Sequence, residues 1–140
     1  MAKPETSLSV LNDTFRPVAE RILTDATAAG LDPVVIFTLR TQAEQMALYA
    51  KGRAERDGKW VVVDKSAVVT NASVGKSPHE YGLALDVCPR VLMARKAWDP
   101  SSGLWVTFGR IVEACGAEWG GRFPSPDRPH AQAKNWKALR

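Results

Sequence analysis

The longest apolar runs in the chain, such as Val34–Phe37, are only four or five residues. A membrane-crossing helix needs about 20. Burial must therefore come from one-sided helices and short strands, and membrane insertion is not expected. The composition suits this. A chain of 140 residues that is 45% hydrophobic and 24% charged has ordinary globular values and the length of one domain. A disordered tail, a collagen-like repeat and a disulfide-dense miniprotein are excluded.

The periodicities divide the chain. Phe15, Val18, Ala19, Ile22, Leu23 and Ala26 recur at helical spacing, which predicts a helix over 13–29, with Pro17 in its first turn and Gly30 as its stop. Pro33–Thr38 reads as a buried strand. Thr41 and Glu44 form a T-x-x-E capping box that opens a second helix, with Ala43, Met46, Ala47 and Ala50 as its expected inner face and Gly52 as its end. Trp60–Val63 and Ala67–Thr70 read as a hairpin through Asp64-Lys65, and Leu83–Val87 as a further strand. A third helix is expected over 102–115, with Trp105, Phe108, Val112 and Cys115 inward. A short strand follows at Ala117–Trp119, then a Gly/Pro/Ser-rich loop to Pro129. The expected class is α+β, with about three helices and a small mixed or antiparallel sheet.

The net charge of +4 lies entirely in the segment 122–140, where Arg122, Arg128, Lys134, Lys137 and Arg140 face one acid, Asp127. A basic stretch of this kind is either a solubilising tail or a contact for an anionic partner. Trp136 is its only aromatic besides Phe123, too few for a base-stacking platform, so no specific nucleic acid is expected. Cys88 and Cys115 lie in apolar contexts outside CxxC spacing. They read as buried free thiols without an activating neighbour, which argues against a Cys–His hydrolase. The N-terminal MAKPETSLSVLNDTF has no apolar signal-peptide core. Synthesis in the cytoplasm is expected, with release by another agent if the protein acts outside.

Two histidines are present, and both have conspicuous neighbours. His79 lies in Ser77-Pro-His-Glu-Tyr-Gly-Leu-Ala-Leu-Asp86, and His130 in Asp127-Arg-Pro-His. Two imidazoles and a carboxylate suffice for a catalytic zinc site with one position left for water. On the expected strand, Ala84 and Asp86 share a face, and the small residue leaves room beside the carboxylate. His130 is expected to reach the site from a distant loop. Spacing alone balances this reading evenly against ordinary packing, because HxxxxxxD is far less specific than HExxH.

The pattern Ser77-x-His79-x-x-Gly82-x-Ala84-x-Asp86 resembles the SxHxxGxAxD signature of the M15 metallopeptidases. Leu39-Arg40-Thr41-x-x-Glu44-Gln45-x-x-Leu48-Tyr49-x-x-Gly52-Arg53 is similar to that family's arginine-bearing helix start. Glu118-Trp-Gly-Gly121 followed by Asp127-x-Pro-His130 is similar to its C-terminal ending. The three blocks occur in order across roughly residues 10 to 131. The D-x-P-H ending points to the endolysin-type branch, which cuts L-alanyl-D-glutamate bonds in peptidoglycan. The chain departs from the pattern at Ala131, where an aromatic is common, and at Gly-Gly-Arg-Phe123 in place of GGxW.

The resemblance implies a hedgehog/D-Ala-D-Ala-peptidase-like zinc fold over 1–140, a single catalytic domain without a separate wall-binding domain. It implies one Zn²⁺ held by His79, Asp86 and His130, with Asp127 as general base. Arg40 would bind substrate or stabilise the oxyanion, and Ser77 and Gln45 would contact substrate. The implied partner is the peptidoglycan stem peptide, with anionic envelope polymers as a further partner of the basic segment. A monomer is expected, acting on the wall of a phage host after holin-type release. Read without the family, Arg40 is a structural ion-pair partner, Gln45 a solvent-facing helix residue, Ser77 a cap before Pro78 and Asp127 a turn residue. Tyr81 and Trp119 divide between cleft and core. The competing functions are a D-Ala-D-Ala carboxypeptidase of the same family and a zinc-containing wall-binding module without catalysis.

Overall fold

A computed structural model describes residues 3–140. Its centre is a four-stranded antiparallel sheet in the order β1-β4-β6-β5. The strands are β1 (Pro33–Phe37), β4 (Ala84–Pro89), β5 (Ala117–Trp119) and β6 (His130–Ala133); β2 (Arg53–Arg56) and β3 (Lys59–Val62) form a separate hairpin. The helices are α1 (Arg16–Ala28), α2 (Gln42–Ala50), α3 (Gly103–Ala114) and a terminal turn, α4 (Trp136–Leu139). The α+β expectation holds, and every strand pairing is antiparallel. Among the described residues, no helix is long and apolar enough to cross a membrane.

The two faces of the sheet do different work because strand side chains alternate. Leu85 and Val87 of β4, with Ala131 and Ala133 of β6, enter one core cluster with Phe15, Ala19, Ile22 and Ala26 at α1 and Trp105, Phe108 and Val112 of α3. Burying an Ile22 or a Phe108 stabilises the fold by about 1.5–3 kcal/mol each. The opposite face of β4 and β6 carries Asp86, His130 and Gln132, with Asp86 directly across from His130. A one-residue slip would send both groups into the core.

The capping box that opens α2 is present: Thr41 Oγ1 accepts from the Glu44 N–H at 3.1 Å, and Glu44 Oε1 accepts from the Thr41 N–H at 2.9 Å. The inner face of that helix differs from expectation. Ala43, Met46 and Ala47 are exposed, while Gln45 is fully buried. The hairpin is also displaced. It turns at Asp57-Gly58, both at positive φ, as a two-residue D-G turn requires. Asp64 instead caps a 3-10 turn over Lys65–Ala67, and Ala67–Thr70 pairs with no strand. His130 comes from a strand rather than a loop. Cys115 is half-buried at the end of α3 and Cys88 is buried; both are free thiols.

Candidate metal centre

His79 is set in place by a short 3-10 turn, Pro78–Tyr81. Ser77 caps that turn: its Oγ accepts from the His79 N–H at 3.3 Å, while Glu80 accepts from the Ser77 N–H at 3.1 Å. Gly82 ends the turn at φ 67, and a Cβ there would stand 2.8 Å from the Asn12 nitrogen. The chain then enters β4, which delivers Asp86 to the same spot. The sheet register brings His130 alongside.

The ligand atoms of His79, Asp86 and His130 lie within 4.8 Å of one another. His79 Nε2 and His130 Nδ1 are each 3.1 Å from Asp86 Oδ1. The outer nitrogen of each ring faces an oxygen: His79 Nδ1 is 3.1 Å from the Thr38 carbonyl, and His130 Nε2 is 2.8 Å from Gln132 Oε1. Oxygens of these kinds accept, so each ring can keep a proton on its outer nitrogen and offer the lone pair of its inner nitrogen to a cation, while without a cation Asp86 accepts from the inner nitrogens. Around a cation, two imidazole lone pairs and a carboxylate would converge. That donor set calls for a cation and fits zinc in chemistry and number.

The charges are mutually adjusted. Burial raises the Asp86 carboxyl, but the two imidazoles outweigh it and hold it far below the usual carboxylate range. Burial opposes a proton on His130, yet Asp86, Asp127 and Gln132 together raise its basicity. Asp127 stands at the rim, 4.0 Å from His130 Nδ1. Loss of hydration lifts its carboxyl above the ordinary value, with His130 opposing and Asp86 adding to the shift.

Arg40 is buried at the side of the same cleft, its guanidinium 4.9 Å from the Phe37 ring centre. Burial lowers its pKa, opposed by Asp86, Glu44, Glu80 and Asp127. Its backbone N–H donates to the His79 carbonyl at 3.0 Å, tying the two residues together. Gln45 holds it from behind: Oε1 accepts from Arg40 Nη1 at 2.9 Å, and Nε2 donates to the Ala72 carbonyl at 2.6 Å. The structure thus gathers Arg40, Ser77, His79, Asp86, Asp127 and His130 around one cleft of about 340 Å³ and places Gln45 behind it.

Sequence reasoning did not find Gln132, Phe37, Phe123 or the Thr38 carbonyl. For Gln132, the available signal was its position two residues beyond His130, which puts both on one face of a strand. Phe123 tilts against His130 with ring centres 5.7 Å apart. Ala131 faces the core opposite Leu85 and Trp119, so that departure from the family pattern does not alter the cleft. Trp119 packs against Gly109 and Gly121, where any Cβ would collide with the indole, and its Nε1 donates to the Arg128 carbonyl at 2.8 Å. Tyr81 donates to the Gly75 carbonyl and packs on Trp136. In the basic segment, Arg122 is paired with Glu113, and Lys137 and Arg140 lie over the Trp136 ring.

Residues 70–133 match the M15 peptidase family model described as D-alanyl-D-alanine carboxypeptidase. The chain is 29% identical over 132 residues to the peptidoglycan L-alanyl-D-glutamate endopeptidase CwlK of Bacillus subtilis, covering 89% of this chain and 74% of the relative. Among solved structures it resembles the D,D-pentapeptidase VanY of a VanB-type resistance cassette, in complex with Zn(II), with TM-score 0.60 and 19% identity over 88% of this chain and 72% of that one. It also resembles the L-Ala D-Glu endopeptidase ChiX of Serratia marcescens, with TM-score 0.57 and 22% identity over 99% of this chain and 92% of that one. The M15 resemblance read from the motifs is thus met by the family match over the segment that holds His79, Asp86 and His130, and the fold is shared with these solved structures over nearly the whole chain.

Proposed function

We propose that this chain is a zinc-dependent peptidase that hydrolyses the L-Ala–D-Glu bond of the peptidoglycan stem peptide. The observation that carries the proposal is the inward-facing set of His79 Nε2, Asp86 Oδ1 and His130 Nδ1, with Asp127 and Arg40 at the same cleft. Zinc in such a set supplies Lewis acidity, lowering the pKa of water to about 7 and polarising a carbonyl.

The chain's own residues supply the rest. Asp127 takes the proton of the attacking water and passes it to the leaving amine; its raised pKa makes it a better base than an ordinary aspartate. Arg40, fixed by Gln45, presents a partly desolvated cation to the carbonyl oxygen as negative charge develops there. Ser77 and Glu80 hold His79 in register.

Two observations favour an internal cut over removal of a terminal D-Ala. The base position is the aspartate of a D-x-P-H ending. The cleft also shares Val69 and Thr70 with a neighbouring groove of about 510 Å³ walled by Arg53 and Lys65, which extends the surface past the metal centre for a longer substrate. Lysis of a phage host after holin-type release belongs to the same proposal and rests on the endolysin-branch resemblance.

The test is digestion of purified sacculi followed by mass spectrometry. New L-Ala carboxyl and D-Glu amino termini, lost on chelation and restored by Zn²⁺, are expected. Release of D-Ala alone would replace this reading with the carboxypeptidase. Bound zinc with no cleavage would replace it with a binding module.

A further inference from the structure

The geometry points to Glu118 and Gln132 as positioning residues that choose which nitrogen of His130 faces the metal. This deepens the zinc reading above and rests on it.

The His79 ring is oriented by a backbone carbonyl, which cannot donate and cannot turn over. The His130 ring is oriented by an amide side chain, which has an accepting end and a donating end and can rotate. If the Gln132 amide turned round, its NH₂ would face His130 Nε2. That nitrogen would then have to accept, and the ring proton would move to Nδ1, the atom facing Asp86. The site would lose one of its two imidazole lone pairs.

Glu118 prevents this. It lies across from Gln132 in the β5–β6 register, and its Oε1 accepts from Gln132 Nε2 at 3.1 Å. A carboxylate only accepts, so it fixes the NH₂ on its own side and leaves Oε1 toward His130 Nε2 at 2.8 Å. The chain Glu118–Gln132–His130–Asp86 is built by register: residue 118 stands opposite 132, and 130 opposite 86. Glu118 is exposed and Gln132 half-buried, so neither is needed to fill the core.

The test compares Gln132→Leu, Glu118→Gln and the double variant Glu118→Gln/Gln132→Glu with the wild type. The double variant exchanges the carboxylate and the amide: residue 118 now donates, and residue 132 still accepts from His130. Zinc affinity is read by chelator competition, and the protonated ring nitrogen by ¹⁵N NMR of the zinc-free protein. Loss of an outer partner of a ligating histidine typically costs about 10–100-fold in affinity. Gln132→Leu should fall in that range and Glu118→Gln should lose about several-fold, while the double variant should return to within about threefold of wild type. His130 Nε2 should be protonated in the wild type and the double variant, whatever Nδ1 carries beside Asp86, and less so in the single variants. His79 should be unchanged throughout. Unchanged affinity and unchanged His130 protonation in both single variants would overturn the inference, as would a double variant no better than Gln132→Leu. A wild type that binds no zinc would overturn the metal reading instead, and the zinc-free NMR result would still decide whether Glu118 and Gln132 set the ring.

Discussion

Asp86 and His130 stand on adjacent strands of the central sheet, whereas the wall facing them, residues 68–76, belongs to no sheet or helix. The reacting side is mounted on β4, whose residues are all buried except the half-buried Asp86. The wall is tethered by two polar side chains, one sent from α2 and one from the start of β2. Gln45 binds the Ala72 carbonyl, and Arg53 donates to the Thr70 and Tyr49 carbonyls at 2.8 Å each while lying over the Tyr49 ring. Val69 in the wall and Val62 and Val63 next to it are more than half exposed. Chemistry that tolerates little displacement is placed on ladder hydrogen bonds and a packed core. A surface that only shapes the substrate is held by a few replaceable contacts.

The comparison can be broken from the sheet side first. Asp86→Ala should abolish zinc retention and lower hydrolysis by about a thousandfold or more, checked by metal content and muropeptide turnover. A variant that keeps zinc would show that Asp86 is not a required ligand. Asp127→Asn should keep the metal and lose about 10²–10⁴ in kcat. Its pH profile sharpens the point. The base works deprotonated, and its pKa is raised, so wild-type kcat/KM should fall about tenfold per unit below a pH higher than the ordinary aspartate value of about 3.9. That limb should be missing from the residual activity of Asp127→Asn.

On the wall side the effects should be smaller and of another kind. Arg53→Ala should raise KM by about 3–10-fold with less change in kcat, because it frees Thr70 without touching the ligands. A fall in kcat of the Asp127 size would mean that the wall takes part in the chemistry. Val62→Thr, on the exposed hairpin, should change stability by no more than about 0.5 kcal/mol in a denaturant melt.

The two regions also differed in how far they could be read from sequence. His79 and Asp86 lie within one short block whose turn glycine and alternation are visible, and the helices α1 and α3 follow their apolar spacing. That β6 exists was not legible. His-Ala-Gln-Ala has no β-branched residue, so neither the strand nor its register against Asp86 announced itself. The hairpin was misplaced because the valines at 61–63 outweighed Asp57-Gly58, the actual turn signal. Gln45, expected to contact substrate or to face solvent on its helix, is fully buried, and burying an amide is favourable only with partners in place. Those partners, Arg40 and the Ala72 carbonyl, meet it only in the folded chain.

The loop before His130 is closed at its neck. The Asp127 N–H donates to the Gly120 carbonyl at 2.9 Å, and Trp119, seated against Gly109 and Gly121, holds the Arg128 carbonyl. Residues 122–126 lie outside that closure. Lengthening them costs little, since doubling a flexible loop adds only about 0.6 kcal/mol. Insertions there would leave Asp127 and His130 at a constant separation while reshaping the cleft edge that carries Phe123. The neck thus separates the length of this segment from the spacing of Asp127 and His130.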